Sequence, residues 1–64
     1  MTTGEKLREL RGERSQAEVA KAVFVSDSAM SAYEQDNRIP RDDVKVRIAK
    51  YYGCTVQDIF FASE

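Results

Sequence analysis

Side chains that could perform covalent or acid–base catalysis are scarce in this chain. Its 64 residues include no histidine and a single cysteine, Cys54. A thiol with no imidazole base and with apolar neighbours is expected to pack rather than to react. The same scarcity predicts no metal-ligand cluster and no intrachain disulfide. Ser15 and Ser26 are better placed to cap helices than to act as nucleophiles. The sequence therefore predicts that this protein is not an enzyme and needs no cofactor.

The two serines begin the two halves of one segment, residues 15–33. Ser15 is followed three residues later by Glu18, which is the spacing of a capping box. Apolar residues then recur at helical spacing, and Ser26 is expected to cap a second helix after a turn at residues 24–25. Two short helices joined in this way form a helix-turn-helix, a module that places its second helix in the major groove of DNA.

Helices are also expected on both sides of this segment. A capping box of Thr2 and Glu5 starts the first helix, and Gly53 ends the fourth. Alternating valines in residues 44–48 also fit a strand, but the charged residues between them and the lack of a partner strand favour a helix. The sequence predicts an all-α fold, a compact bundle of about five short helices in one domain, residues 1–64. The expected helices are 3–11, 16–23, 27–35, about 41–52, and a short one after residue 55.

Charge and length limit the possible partners. Charged residues make up 33% of the chain, yet the net charge is only −1. Domains that bind DNA are often strongly basic, because contacts with phosphates supply most of the non-specific affinity. Residues 22–37 contain three acids and no lysine or arginine, which is unusual for a surface that faces phosphates. No apolar run is long enough to cross a membrane and no signal peptide is recognised, so a cytoplasmic protein is expected.

The order of these motifs resembles the phage repressor and Cro type of helix-turn-helix protein, also called the XRE family. The resemblance rests on SQAEVA at residues 15–20, on the segment 25–40, on IAKYYG at 48–53 and on VQDIF at 56–60. It extends over residues 5–61. It implies a lambda-repressor-like bundle that binds operator DNA, commonly as a dimer on two half-sites.

The resemblance also assigns candidate DNA-binding residues by position. They lie at the start of the second helix, on the outward face of the third, and just after it: Gln16, Asp27, Ser28, Ser31, Ala32, Gln35, Asn37 and Arg38. Gln16 is expected to contact a phosphate or to position its helix, and Arg38 is the one cation close to the end of the third helix. Arg11 and Glu34 match a pair that is often salt-bridged in the family.

Several of these positions also have a simpler structural explanation. Asp27 fits the positive end of the helix dipole, although its carboxylate could also accept a hydrogen bond from cytosine. Ser28 can bond to bases or phosphates without strong preference, and Ala32 could meet a thymine methyl group or only avoid a clash. Gln16 could be an exposed first-turn residue. None of the outward positions carries an arginine, lysine or asparagine, so a strong bidentate base contact could come only from Gln35 or Gln16.

The absence of arginine, lysine and asparagine on that face departs from the family pattern, and two further features do so as well. Phe24 occupies the turn position where the family usually has glycine, and a positive φ is uncommon for a bulky residue. The turn is expected either to change shape or to hold a strained Phe24 whose ring packs on a neighbour. The loop at residues 12–14 is about two residues shorter than usual, so the first helix is expected to end differently.

Two functions remain open from the sequence. The first is a sequence-specific transcriptional regulator, a repressor that binds double-stranded DNA at a two-half-site operator through residues 27–35. It would act as a homodimer, with Phe61, Tyr52 and Val56 as candidate contact residues. The alternative is a protein-interaction module, an adaptor or antirepressor that binds another regulatory protein and keeps the fold without strong DNA binding. The sequence favours the regulator; the net charge and the acids near the third helix are the features that support the alternative.

Overall fold

The computed structural model describes residues 2–61, which form five helices and no strand. The all-α prediction is therefore confirmed, including the helical state of the valine-rich segment. The second and third helices each end one residue earlier than predicted, at Ala22 and Glu34. The helices are α1 (Thr3–Arg11), α2 (Gln16–Ala22), α3 (Asp27–Glu34), α4 (Asp42–Tyr52) and α5 (Val56–Phe60).

Side-chain caps begin four of the five helices. The Thr2 hydroxyl accepts from the Glu5 amide at 3.1 Å, and the Thr2 amide donates to the Glu5 carboxylate at 2.8 Å, so the predicted capping box is present. The Ser15 hydroxyl accepts from the Glu18 amide, but the return bond of the second predicted box is absent from the described structure. Glu18 is exposed, and its carboxylate is solvated instead. Ser15 therefore caps α2 through a single bond.

One core joins all five helices. Val19 and Ala20 of α2 and Ile48 of α4 are completely buried. Ala20 contributes only a methyl group to this core. The other core residues come from α1, α3, α4, α5 and the end of α2: Leu7, Val23, Met30, Tyr33, Val44, Ala49 and Ile59. The predicted inward positions of Met30 and Tyr33 are confirmed.

Three helices end in the same hydrogen-bonded motif. After α2, the Phe24 amide donates to the Lys21 carbonyl oxygen and the Val25 amide donates to that of Ala20, which together define a Schellman ending. The residue at the left-handed position is Phe24 (φ 62°) after α2, Asp36 (φ 60°) after α3 and Gly53 (φ 69°) after α4. Only the last of these is a glycine, which adopts this conformation without steric cost.

The first turn of α1 is attached to the end of α3. The Asp36 carboxylate accepts from the Thr2 hydroxyl at 2.7 Å and from the Gly4 amide at 2.9 Å. A Cβ atom on Gly4 would lie 2.8 Å from the Asp36 carboxylate and still closer to the Glu34 carbonyl oxygen. Glycine at position 4 therefore allows α1 to touch the end of α3.

Candidate nucleic-acid interface

The α2–turn–α3 unit is held in place from both sides. Its two helices share the buried face described above, and α1 packs against α3. From α4, the Arg47 guanidinium donates to the Val23 carbonyl oxygen at 2.8 Å and pairs with Asp43 at 3.2 Å. Val23 follows the last residue of α2, so Arg47 fixes the backbone just before the turn. The ion pair with Arg47 lowers the pKa of Asp43.

The outward residues of α3, together with Gln35 directly after it, are polar or small. Asp27 and Ser28 are exposed in its first turn, whereas Ser31 and Ala32 are half-buried further along. We call this surface the α3 face; it consists of Asp27, Ser28, Ser31, Ala32 and Gln35. Its side chains are short, so any molecule that they contact must approach the helix backbone closely.

Hydrogen bonds connect the far end of the α3 face to the residues after the helix. The Gln35 amide donates to the Ser31 hydroxyl at 2.9 Å, and the Asn37 amide donates to the Gln35 side-chain oxygen at 3.4 Å. Gln35, Asn37 and Arg38 are all exposed. The seven predicted site residues between positions 27 and 38 thus lie on α3 or directly after it.

Gln16 is held by a buried carboxylate at the end of α3. Glu34 is 2% exposed, and its oxygens accept from the Arg11 guanidinium at 2.9 Å and from the Gln16 amide at 3.2 Å. The predicted Arg11–Glu34 salt bridge is therefore confirmed. A side-chain amide has two N–H groups, so Gln16 keeps one donor for another acceptor. Gln16 is half-buried, and Glu34 fixes the direction of its amide.

The same network accounts for two of the three acids near α3. Glu34 is paired inside the molecule, and the Asp36 carboxylate is bound by the start of α1. The hydrogen bonds from Thr2 and Gly4 lower the pKa of Asp36. Asp27, in the first turn of α3, is the remaining acid of residues 22–37. The buried pair with Arg11 therefore removes the charge of Glu34 from the surface near α3, whereas Asp27 and Asp36 remain exposed.

Aromatic side chains pack beside this network. Burial raises the pKa of Tyr52 to about 12, and the nearby Glu34 carboxylate adds to the shift. The Tyr52 and Tyr51 rings meet edge to face, and the Arg14 guanidinium lies 5.6 Å from the Tyr52 ring centroid. Tyr52 is half-buried against the core, so it offers little surface to a second chain. Tyr52 instead packs beside the buried Glu34 carboxylate.

Phe24 differs from both sequence expectations. The turn keeps the left-handed conformation of the family pattern, with φ at 62°, so it does not change shape. The ring is 80% exposed, so it does not pack on a neighbour either. The sequence shows that a bulky residue occupies the turn. Whether its ring is buried or exposed depends on how α2 and α3 pack.

Three positioning residues were not identified from the sequence. They are Arg47, which binds the end of α2; Asp36, which binds the start of α1; and Arg8, which donates to the Glu34 carbonyl oxygen. Each joins segments more than 20 residues apart, and no local motif signals such a pairing. Of the three, only Asp36 has a local signal in the sequence, because an aspartate directly after a helix tolerates the left-handed backbone that ends it.

Other kinds of site find little support in residues 2–61. No group of histidine, cysteine or acidic residues there could hold a metal ion. None of the helices in that range is long and apolar enough to span a membrane.

Comparison with known proteins agrees with this geometry. Residues 3–59 match the family described as "Helix-turn-helix domain". The chain is 34% identical over 61 residues to the cryptic phage CTXphi transcriptional repressor RstR of Vibrio cholerae; the match includes 92% of this chain. The chain spans only 55% of the length of RstR.

Two solved structures have the same fold. The DNA-binding domain of the P22 c2 repressor in solution superposes with a TM-score of 0.85 at 26% identity, covering 92% of this chain and 80% of that one. The P22 c2 repressor in complex with a synthetic operator superposes with a TM-score of 0.90 at 26% identity, covering 94% of each chain. These relatives are described as repressors and DNA-binding domains rather than as enzymes. The chain belongs to the helix-turn-helix domain family and is of the phage-repressor type.

Proposed function

We propose that this protein is a sequence-specific DNA-binding transcriptional repressor that inserts the α3 face into the major groove. The observation that carries the proposal is the match over 94% of the chain to a repressor in complex with an operator. The exposed, short side chains at the start of α3 agree with it, because the N-terminal residues of a recognition helix contact base edges. The protein would act in the cytoplasm on double-stranded DNA.

Base contacts come from the α3 face. Ser28 is exposed and can bond to a base edge, while Ala32 and Ser31 allow the helix to lie close to the bases. Gln35 is the one side chain of this face with an amide, and its bond to Ser31 sets its orientation. Asp27 stabilises the start of α3 and is the remaining candidate for a bond to cytosine.

Backbone contacts come from the two ends of the unit. Gln16 directs its second N–H group to a phosphate at the start of α2, and Glu34 holds it in that orientation. Asn37 and the exposed Arg38 approach the phosphates after α3. Such contacts fix the register of a protein on DNA without reading its sequence.

Few strong contacts are available from one copy, so useful affinity requires two half-sites and a homodimer. The surface that favours self-association is a groove of about 300 Å³ between the α3–α4 connection and α5. Ile39 is 80% exposed and Phe61 51% exposed at this groove, and the Lys45 ammonium lies 5.2 Å from the Phe61 ring centroid. Of the three residues expected at a dimer contact, Phe61 is the exposed one; Tyr52 and Val56 are half-buried against the core.

Sedimentation tests the homodimer. Wild-type protein should sediment as a dimer or as a concentration-dependent mixture, and Phe61→Ser should shift it to the monomer. Val46→Ser is the matched control, because Val46 is also exposed, at 43%, but does not line the groove. A monomer at all concentrations, or an equal effect of both variants, would argue against this dimer surface.

Fluorescence anisotropy tests DNA binding itself. Duplex fragments from around the gene are titrated with protein across a salt series. One fragment should bind tightly, with a log–log salt slope of several negative units, because each phosphate contact releases about one counterion. The absence of any preferred fragment at every salt concentration would reject the proposal and favour the protein-interaction alternative, which the net charge of −1 supports.

Two variants separate backbone contacts from base contacts. Arg38→Ala should weaken binding to all sequences by a similar factor and reduce the salt slope by about one unit. Lys50→Ala is the control, because it removes an exposed cation from α4 and changes the net charge equally. Ser28→Ala should instead alter which bases are preferred. Equal effects of Arg38→Ala and Lys50→Ala would refute the phosphate contact.

A further inference from the structure

Phe24 has a conformation that its residue type disfavours. Its amide closes the Schellman ending of α2 at 3.3 Å from the Lys21 carbonyl oxygen, which requires the left-handed backbone that is observed. Glycine is the usual residue at this position of the motif, because a Cβ atom there is too close to the following carbonyl group. A phenylalanine at this position therefore makes the turn less stable than a glycine would.

Contacts within the molecule do not compensate for this strain. Asp36 has nearly the same φ, but its carboxylate binds the start of α1. The Phe24 ring, by contrast, is 80% exposed. Among the left-handed residues of the described chain, Phe24 thus combines a bulky apolar side chain with almost no burial. The exposed ring is therefore available for contact with another molecule.

The position of Phe24 indicates which molecule. It lies three residues before Asp27, the first residue of α3, and Ser26 between them caps that helix at 3.0 Å. The start of the recognition helix is the part that enters the major groove. A hydrocarbon ring cannot bond to phosphate, but it can pack on the one apolar group of the major groove, the C5-methyl group of thymine.

We propose that Phe24 is a specificity-determining residue that contacts a thymine methyl group in each half-site. The inference rests on the proposed DNA-binding function and adds a residue to it. It also supplies an apolar contribution where the neighbouring exposed residues, Asp27 and Ser28, make no strong bidentate contact. Phe24 then extends the surface that reads DNA from α3 into the turn.

The experiment uses a duplex selected by the wild-type chain from a randomised DNA library. Each thymine is replaced in turn by deoxyuridine, which removes only the methyl group. One such replacement in each half-site should weaken wild-type binding, by about fourfold per half-site and about fifteenfold for two. Phe24→Gly should lose a similar factor on the thymine duplex and become insensitive to that replacement. Phe24→Leu, which keeps an apolar side chain, should retain part of the effect.

Thermal unfolding separates this role from a structural one. Phe24→Gly should unfold at a higher temperature than the wild type, because the strain is removed, while its DNA affinity falls. Wild-type affinity in Phe24→Gly, or wild-type binding that is indifferent to every deoxyuridine replacement, would overturn the inference. Failure of the wild-type chain to select any duplex would instead reject the proposed function, so the two failures are distinguishable.

Discussion

The buried Arg11–Glu34 pair gives the sharpest prediction about stability. Glu34 is 2% exposed, and the Arg11 side chain is 24% exposed. Removal of one partner from a buried pair costs about 3–5 kcal/mol, because the other charge remains buried without compensation. Gln16 still donates to Glu34 and Arg11 is partly solvated, so the lower limit applies. We expect Arg11→Met to lower the free energy of unfolding by about 3 kcal/mol.

A loss of this size is large for such a small protein. A chain of 64 residues has a total stability of roughly 3–10 kcal/mol. The variant should therefore melt at least about 12 °C below the wild type, or be partly unfolded at room temperature. Glu34→Gln alone should cost only about 1 kcal/mol, because Arg11 can reach solvent and the new amide still accepts from Gln16.

The double variant identifies the cause. In Arg11→Met with Glu34→Gln no buried charge is left, so the combined loss should be about 2 kcal/mol rather than the sum, a coupling of about 2 kcal/mol. Urea unfolding at neutral pH, followed by circular dichroism, measures all three free energies. Lys6→Met is the control, since the Lys6–Glu9 pair on α1 is partly exposed and should contribute less than about 1 kcal/mol. A loss in the free energy of unfolding of less than about 1 kcal/mol for Arg11→Met, together with a loss in the double variant equal to the sum of the two single losses, would refute the argument.

Two further predictions concern the contact between α1 and α3. Gly4→Ala should lower the free energy of unfolding by roughly 1–3 kcal/mol, because its Cβ atom would overlap the Glu34 carbonyl oxygen; thermal melting without any shift would contradict the close approach. The second concerns pH. Because hydrogen bonds lower the pKa of Asp36 below its usual 3.8, its contribution to stability is present above that value and disappears as the pH falls through the lowered pKa. Asp36→Asn should therefore destabilise the protein at neutral pH and converge with the wild type only as the pH falls below 3.8 and through the lowered pKa, as urea unfolding at several pH values will measure. A difference that persists in acid would assign the effect to shape rather than to charge.

The helices themselves were predictable because their signals are local. Thr2 and Glu5 are three residues apart, so a capping box needs no tertiary contact. Gly53 ends α4 for a similarly local reason, because its backbone adopts the left-handed conformation at no cost. The inward positions of Met30 and Tyr33 followed from helical periodicity alone. The Arg11–Glu34 pair was recognised through the family resemblance, since the sequence separation of its residues carries no signal.

What the sequence by itself determined is therefore the set of helices, the fold class and the candidate α3 face. Tertiary structure alone decided which polar groups meet across the chain, as in Gln16–Glu34, Val23–Arg47 and Thr2–Asp36, which are 18, 24 and 34 residues apart. It also decided that two of the acids near α3 are bound within the molecule, whereas the Phe24 ring is free in solvent. The physical reason is that caps and turns depend on backbone geometry over a few residues, whereas burial and long-range hydrogen bonds depend on how the helices pack.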